Sequence, residues 1–189
     1  NIKNLTVDVS ILRNLAFILR DAEWEVTVTL FDSGKGLEII NIEAGNTSTR
    51  NFGIAVDIGT TTVVVQLLDL NEGKVLAKIS NYNGQISCGE DVISRIIFAQ
   101  KEDGLIKLHN LVISTINSLI TEVASKANIK LNEITTIVAA GNTTMSHLLL
   151  GLNPKFIREA PYIPTTKSLQ LVKAGEVGIN LSENVYLTV

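Results

Sequence analysis

"FGIAVDIGTTTVVVQLLDL", residues 52–70, decides the fold. An apolar run enters Asp57, pauses at Gly59, crosses Thr60, Thr61 and Thr62, and leaves as a second apolar run. The pattern predicts strands over 52–58 and 62–70 joined by a tight turn, with a third strand over 74–82 after "NEG". A turn accounts for the glycine, through its tolerance of positive φ. It does not account for three successive threonines, whose branched side chains favour extended backbone. Together they offer N–H donors and hydroxyls to one small volume, which suits the oxygens of a di- or triphosphate. Without a Cβ at Gly59 the backbone can approach those oxygens. Asp57 is the difficulty: at an effective dielectric of about 20, a carboxylate–phosphate contact at about 4 Å costs roughly 4 kcal/mol. A divalent cation, Mg²⁺, reverses the sign, and Asp57 then orients a metal-bound water or the attacking water. The rival reading is a threonine-decorated hairpin that needs no ligand.

Downstream, "SCGEDVISRIIFAQ" (87–100) predicts a helix with Glu90 and Asp91 in its first turn. The helix dipole favours acids there by about 0.3–1 kcal/mol, and Asp91 can pair with Arg95 at i, i+4. The alternative sends one of the acids into a crevice as a base, or toward a partner protein. A long helix is expected over 104–128, with Leu105, Leu108, Val112, Ile116, Leu119, Val123 and Ala127 along one side. "EITTIVAA" (133–140) follows that helix and is expected parallel to the first strand. Gly141 and Asn142 then open a helix that stops at Gly151. If the strands are parallel, this end lies in the ligand crevice of an open α/β sheet. The N–H groups of Thr143 and Thr144 are placed to serve an anion. An Asn142 N-cap worth about 1 kcal/mol is the equal alternative. His147 is expected to pack or hydrogen-bond on its helix rather than move protons. With a last strand in "NVYLTV" (184–189), the order describes an α/β fold: a ribonuclease-H-like mixed five-stranded sheet with helices on its faces.

Upstream, residues 1–50 predict a small α+β unit. "LTVDV" is a strand, Ser10 caps a helix to Ala22, and "WEVTVTLF" pairs with "LEIINIEA" across "DSGKG" (32–36). That turn lacks the spacing of a Walker motif. "GNTSTR" (45–50) reads as a linker.

Of 189 residues, 46% are hydrophobic and 19% charged, with a net charge of −3. The mean hydropathy of +0.29 is attributed to strands buried on both faces. No basic field for nucleic acid is present, and no apolar run approaches the roughly 20 residues of a membrane span. Signal-peptide patterning is absent. The single cysteine, Cys88, excludes an internal disulfide and cannot alone hold a cluster or structural zinc. It reads as a free thiol in a reducing cytoplasm. A first residue that is not methionine, and an end inside a strand, lead us to expect a piece of a longer protein.

The motif "VDIGTTT" resembles the first phosphate motif of the acetate and sugar kinase, heat-shock chaperone and actin (ASKHA) superfamily. Taken with "GEDVISRI", "GNTTMSHLLLGLNP" and "APYIP", it is similar to the reductive activators of corrinoid proteins. The resemblance implies a small middle or linker domain over 1–50 and the first ribonuclease-H-like ATPase subdomain over 51–189. It implies an ATP-dependent iron–sulfur activator that returns cob(II)alamin to cob(I)alamin in a corrinoid protein or corrinoid-dependent methyltransferase; it leaves open whether the parent is a homodimer. By motif, Asp57, Gly59, Thr60, Thr61 and Thr62 carry over as the ATP and Mg²⁺ site, with Asp57 as metal-binding and catalytic residue. Gly141, Asn142 and Thr143 carry over as their crevice neighbours. The cysteines of the iron–sulfur domain and the second phosphate and adenosine motifs lie outside this chain. It is therefore expected to bind nucleotide weakly and not to turn it over. Two rival functions are a small-molecule kinase of the same superfamily and a non-catalytic interaction module.

Overall fold

The computed structural model describes residues 5–34, 36–167 and 171–189, so Lys35 of the 32–36 turn lies outside the described residues. The amino-terminal unit is a three-stranded sheet with one helix. Strand β1 (Leu5–Val7) leads into helix α1 (Val9–Asp21), then β2 (Val26–Asp32) and β3 (Leu37–Ala44) form an antiparallel pair. β1 adds parallel to β3, giving the order β1-β3-β2. The helix cap is Asp8 rather than Ser10: the Asp8 carboxylate accepts from the Ser10 N–H at 2.9 Å. Trp24 lies outside β2 with a φ of 69°, so the alternation begins at Val26.

The larger unit opens on the expected meander of β4 (Phe52–Ile58), β5 (Thr62–Asp69) and β6 (Lys74–Tyr82). Gly73, with a φ of 65°, turns the chain between β5 and β6, a conformation that costs glycine little. Helices α2 (Val92–Phe98) and α3 (Gly104–Ala127) lead to β7 (Ile134–Gly141), which pairs parallel with β4. Short helices α4 (Thr143–Leu149) and α5 (Lys155–Arg158) follow. β8 (Val172–Lys173) and β9 (Tyr186–Thr188) complete the order β6-β5-β4-β7-β9-β8. The five expected strands are all present. The sixth, β8, has two residues and too little pattern to be read from sequence.

Leu108, Val112, Ile116, Leu119 and Val123 of α3 are buried, as the helical spacing requires. They share one core with Ile54, Val56, Ile58, Val63, Val65 and Leu67 of the sheet. Full burial of such side chains stabilises by about 1.5–3 kcal/mol each. The expectation of strands buried on both faces needs correction. The intervening positions Ala55, Asp57, Val64, Gln66 and Val138 are half-buried or exposed, Val138 at 49%.

Between the units, Phe31 stacks on Tyr186 with ring centroids 4.5 Å apart, and the Tyr186 hydroxyl donates to Glu38 at 2.6 Å. The Lys173 ammonium meets Asp8 at 2.8 Å, and Arg50 meets Glu133 at 2.6 Å. Desolvation, then donation to Glu38, pushes the Tyr186 phenol up to about 12. A phenol raised in the folded state contributes fully below its unfolded value, about 10, and the contribution fades as pH rises through the folded value. Hydrogen bonding to Lys173 holds Asp8 far below the usual carboxylate range. That contribution is present above about 3.9 and lost only as pH falls through the depressed value. An ultraviolet tyrosinate titration should therefore show a late phenol that disappears in Tyr186→Phe. Its survival in that variant would contradict the assignment.

Candidate functional site

The turn from β4 to β5 holds residues 59–61, and its geometry answers why Gly59 is there. Its φ is not in the left-handed region, so the turn does not need glycine for that reason. Instead, a Cβ at Gly59 would lie 2.6 Å from the Thr62 carbonyl oxygen, which accepts from the Gly59 N–H at 2.9 Å. The space a side chain would take is used by the hairpin itself, not left for a ligand.

Three consecutive carbonyls of this turn are drawn into the protein. The Asn83 side-chain amide donates to Gly59 O at 2.9 Å, and the Asn83 backbone N–H donates to Thr61 O at 2.8 Å. Between them, Arg95 Nη2 donates to Thr60 O at 2.5 Å. In a trans peptide the C=O and N–H point in opposite directions. Turning the carbonyls of Gly59 and Thr60 inward therefore turns the N–H groups of Thr60 and Thr61 outward. Neither donates to any described residue. Thr61 and Thr62 are exposed, and Gly59 and Thr60 are half-buried. The result is a pair of adjacent backbone N–H donors, at Thr60 and Thr61, without a partner among the described residues.

Asp57 is exposed on β4, and its side chain makes no ion pair or hydrogen bond with the described residues. Its neighbours in register are Val64 on β5 and Ala140 on β7. The register Ile58↔Gly141 brings Gly141, Asn142 and Thr143 to the same end of the sheet as the threonine turn, and all three are exposed. Asn142 is the N-cap of α4, its Oδ1 accepting from the Met145 N–H at 3.0 Å. Gly141 is closely packed: a Cβ would sit 3.1 Å from Ile58 O, so the neighbouring strand would have to give by a few tenths of an ångström. Beside it lies a cavity of about 460 Å³, lined in part by Gly141, Thr143, Ser146, His147 and Lys167. His147 packs and hydrogen-bonds on its helix: Nδ1 lies 2.7 Å from Thr143 O, so it carries the proton and donates. Its Nε2 is buried with no hydrogen-bond partner among the described residues.

The residues that hold the turn from behind are Asn83, Gln85 and Arg95, and sequence reasoning missed all three. Each is fully buried. The expected Asp91–Arg95 pair does not form. Asp91 is the N-cap of α2, preceding rather than occupying its first turn, and closes a capping box with Ser94. Its bond from the Ser94 N–H holds the carboxyl below the usual range. Arg95 points inward, with Nε donating to Gly89 O at 2.9 Å and Nη1 to Gln85 Oε1 at 3.1 Å. Burial pushes its guanidinium below the ordinary arginine value, opposed by Cys88 and Asp91. The signal available in sequence was an arginine beside Ile96, in a short helix whose other residues, Ser94 apart, are apolar.

No group of three or more metal-ligating side chains occurs among the described residues. The exposed Asp57 carboxylate is of the ligand type through which Mg²⁺ is commonly held, one or two carboxylates with the ion keeping several waters. No described helix is long and apolar enough to cross a membrane.

Comparison with known proteins agrees with this architecture. Residues 52–189 match the family described as the RACo middle region, and residues 1–49 the RACo linker region. A corrinoid activation enzyme, RamQ of Eubacterium limosum, is 44% identical over 113 residues, covering 59% of this chain and 19% of that protein. The solved structure of a reductive activator for corrinoid, iron–sulfur protein superposes with a TM-score of 0.88 at 44% identity, covering 98% of this chain and 30% of that one. The chain thus spans less than a third of either relative. With matched regions running over nearly its whole length, the chain belongs to the RACo family.

Proposed function

We propose that this chain carries the first phosphate-binding element of an ATP-dependent activator that returns a corrinoid protein to its reduced, active state. The observation that supports the reading is the pair of outward N–H groups at Thr60 and Thr61, set beside the exposed and unpaired Asp57. Thr60, Thr61 and Thr62 would hold phosphate oxygens through backbone and hydroxyl groups, and Asp57 would hold the water shell of Mg²⁺. Bound Mg²⁺ supplies charge neutralisation on the phosphates. Gly59 contributes a hairpin tight enough to fix the direction of those donors. Gly141, Asn142 and Thr143 form the neighbouring wall, with Asn142 holding α4 rather than the ligand. A single cysteine cannot hold an iron–sulfur cluster, so the electron donor of such an activator must be carried by residues outside this chain. The corrinoid substrate, the superfamily assignment and the cytoplasmic location rest on the family relationship.

The kinase alternative needs a catalytic carboxylate in the acceptor pocket, and among the described residues none lines the cavity beside Gly141. Calorimetric titration of Mg·ATP into this chain and into the complete activator tests the reading. Heat is expected with both, weaker with the chain, and without appreciable hydrolysis by the chain. Absence of heat with the complete protein would leave the threonines as structural residues only.

A further inference from the structure

Arg95 is fully buried, yet its recorded partners are all neutral: Gly89 O, Thr60 O, Gln85 Oε1 and Met145 Sδ at 3.3 Å. Among the described residues no carboxylate forms an ion pair with it. A buried ion without a counter-ion is costly, and a neutral donor such as the nearby Asn83 would have satisfied a carbonyl at lower cost. Asn83 does so for Gly59. Gly89 is fitted to this arrangement, because a Cβ there would meet Ser94 Oγ at 2.5 Å and Arg95 N at 3.0 Å.

We propose that Arg95 is a positioning residue for the phosphate cradle, acting through the Thr60–Thr61 peptide as a buried positive floor whose counter-ion is the ligand. The inference rests on the nucleotide reading above and goes beyond it. The guanidinium pulls on Thr60 O; on the opposite edge of the same peptide, Thr61 N–H faces outward. Hydrogen bonds in such a chain polarise one another, so the charge makes Thr61 N–H a stronger donor without touching the ligand. Its effect grows with the negative charge of what is bound, which a purely structural contact would not produce.

Gln85 allows a test that leaves Arg95 in place. Gln85→Glu loses the bond to Leu108 O and puts a carboxylate beside Nη1, while Gln85→Met loses both that bond and the acceptor for Nη1 without adding charge. Affinities of this 189-residue chain for Mg·ATP and for AMP are read from amide NMR titrations. Gln85→Glu is expected to weaken Mg·ATP about tenfold more than Gln85→Met does, with AMP much less affected. Arg95→Lys, which keeps the charge, should retain part of the discrimination. In the unaltered chain, the Arg95 Nε–H resonance should also move when Mg·ATP is added, which serves if a Gln85 variant does not fold. Equal losses in the two Gln85 variants, or a stationary Arg95 resonance while Mg·ATP binds, overturn the assignment. If the unaltered chain and the complete activator both fail to bind Mg·ATP, it is the nucleotide reading that fails.

Discussion

Asp57→Ala is expected to weaken Mg·ATP binding by at least about tenfold, the worth of a charge-assisted hydrogen bond. More telling is the metal dependence. In the unaltered chain Mg²⁺ should strengthen ATP binding, because metal-free phosphate meets the carboxylate directly. In Asp57→Ala that repulsion is gone, along with the anchor for the metal's water shell, so the enhancement by Mg²⁺ should largely vanish. The Asp57 side chain contacts no other described residue through an ion pair or hydrogen bond, so folding should be little affected. Titrations with and without Mg²⁺ check both statements. An unchanged Mg²⁺ enhancement in the variant would remove Asp57 from the metal site.

Gly59→Ala should destabilise the chain by about 1–3 kcal/mol, the usual range for forcing a group into filled space. The sign carries the information. Where the backbone conformation suits alanine, replacing glycine stabilises by about 0.4–1 kcal/mol through the unfolded state. Here the φ is compatible with alanine, but the new Cβ meets backbone oxygen at 2.6 Å. Relief requires opening the Gly59–Thr62 bond, which would also release the direction of Thr60 and Thr61 N–H. Urea denaturation measures the stability change. A variant that matches or exceeds the parent in stability would show that the hairpin tip relaxes freely.

The strands and the long helix were legible in the sequence because their apolar spacing is regular over seven residues or more. Residues 52–58, 74–82 and 104–127 are the clearest cases. The tight turn at 59–61 was legible too, since a glycine and three threonines directly after an apolar strand break its pattern. What lies behind the turn was not. Asn83 caps and Gln85 sits in a 3₁₀ turn (Gly84–Cys88) with no periodicity, and their roles depend on partners 23 or 24 residues away in sequence. Arg95 misled for a different reason. Its i, i+4 relation to Asp91 is a sound local rule, but the α2 cap had already claimed that carboxylate and tertiary packing claimed the guanidinium. Likewise the one-sided burial of the sheet cannot be read from composition, because Val64 and Val138 look the same in sequence whether covered or not.

Backbone amide NMR of this chain during addition of Mg·ATP tests the central claim most directly. The cradle requires the Thr60 and Thr61 N–H resonances to shift strongly and saturably, ahead of those at the far end of the sheet such as Phe52. Perturbation elsewhere with Thr60 and Thr61 unmoved would contradict it.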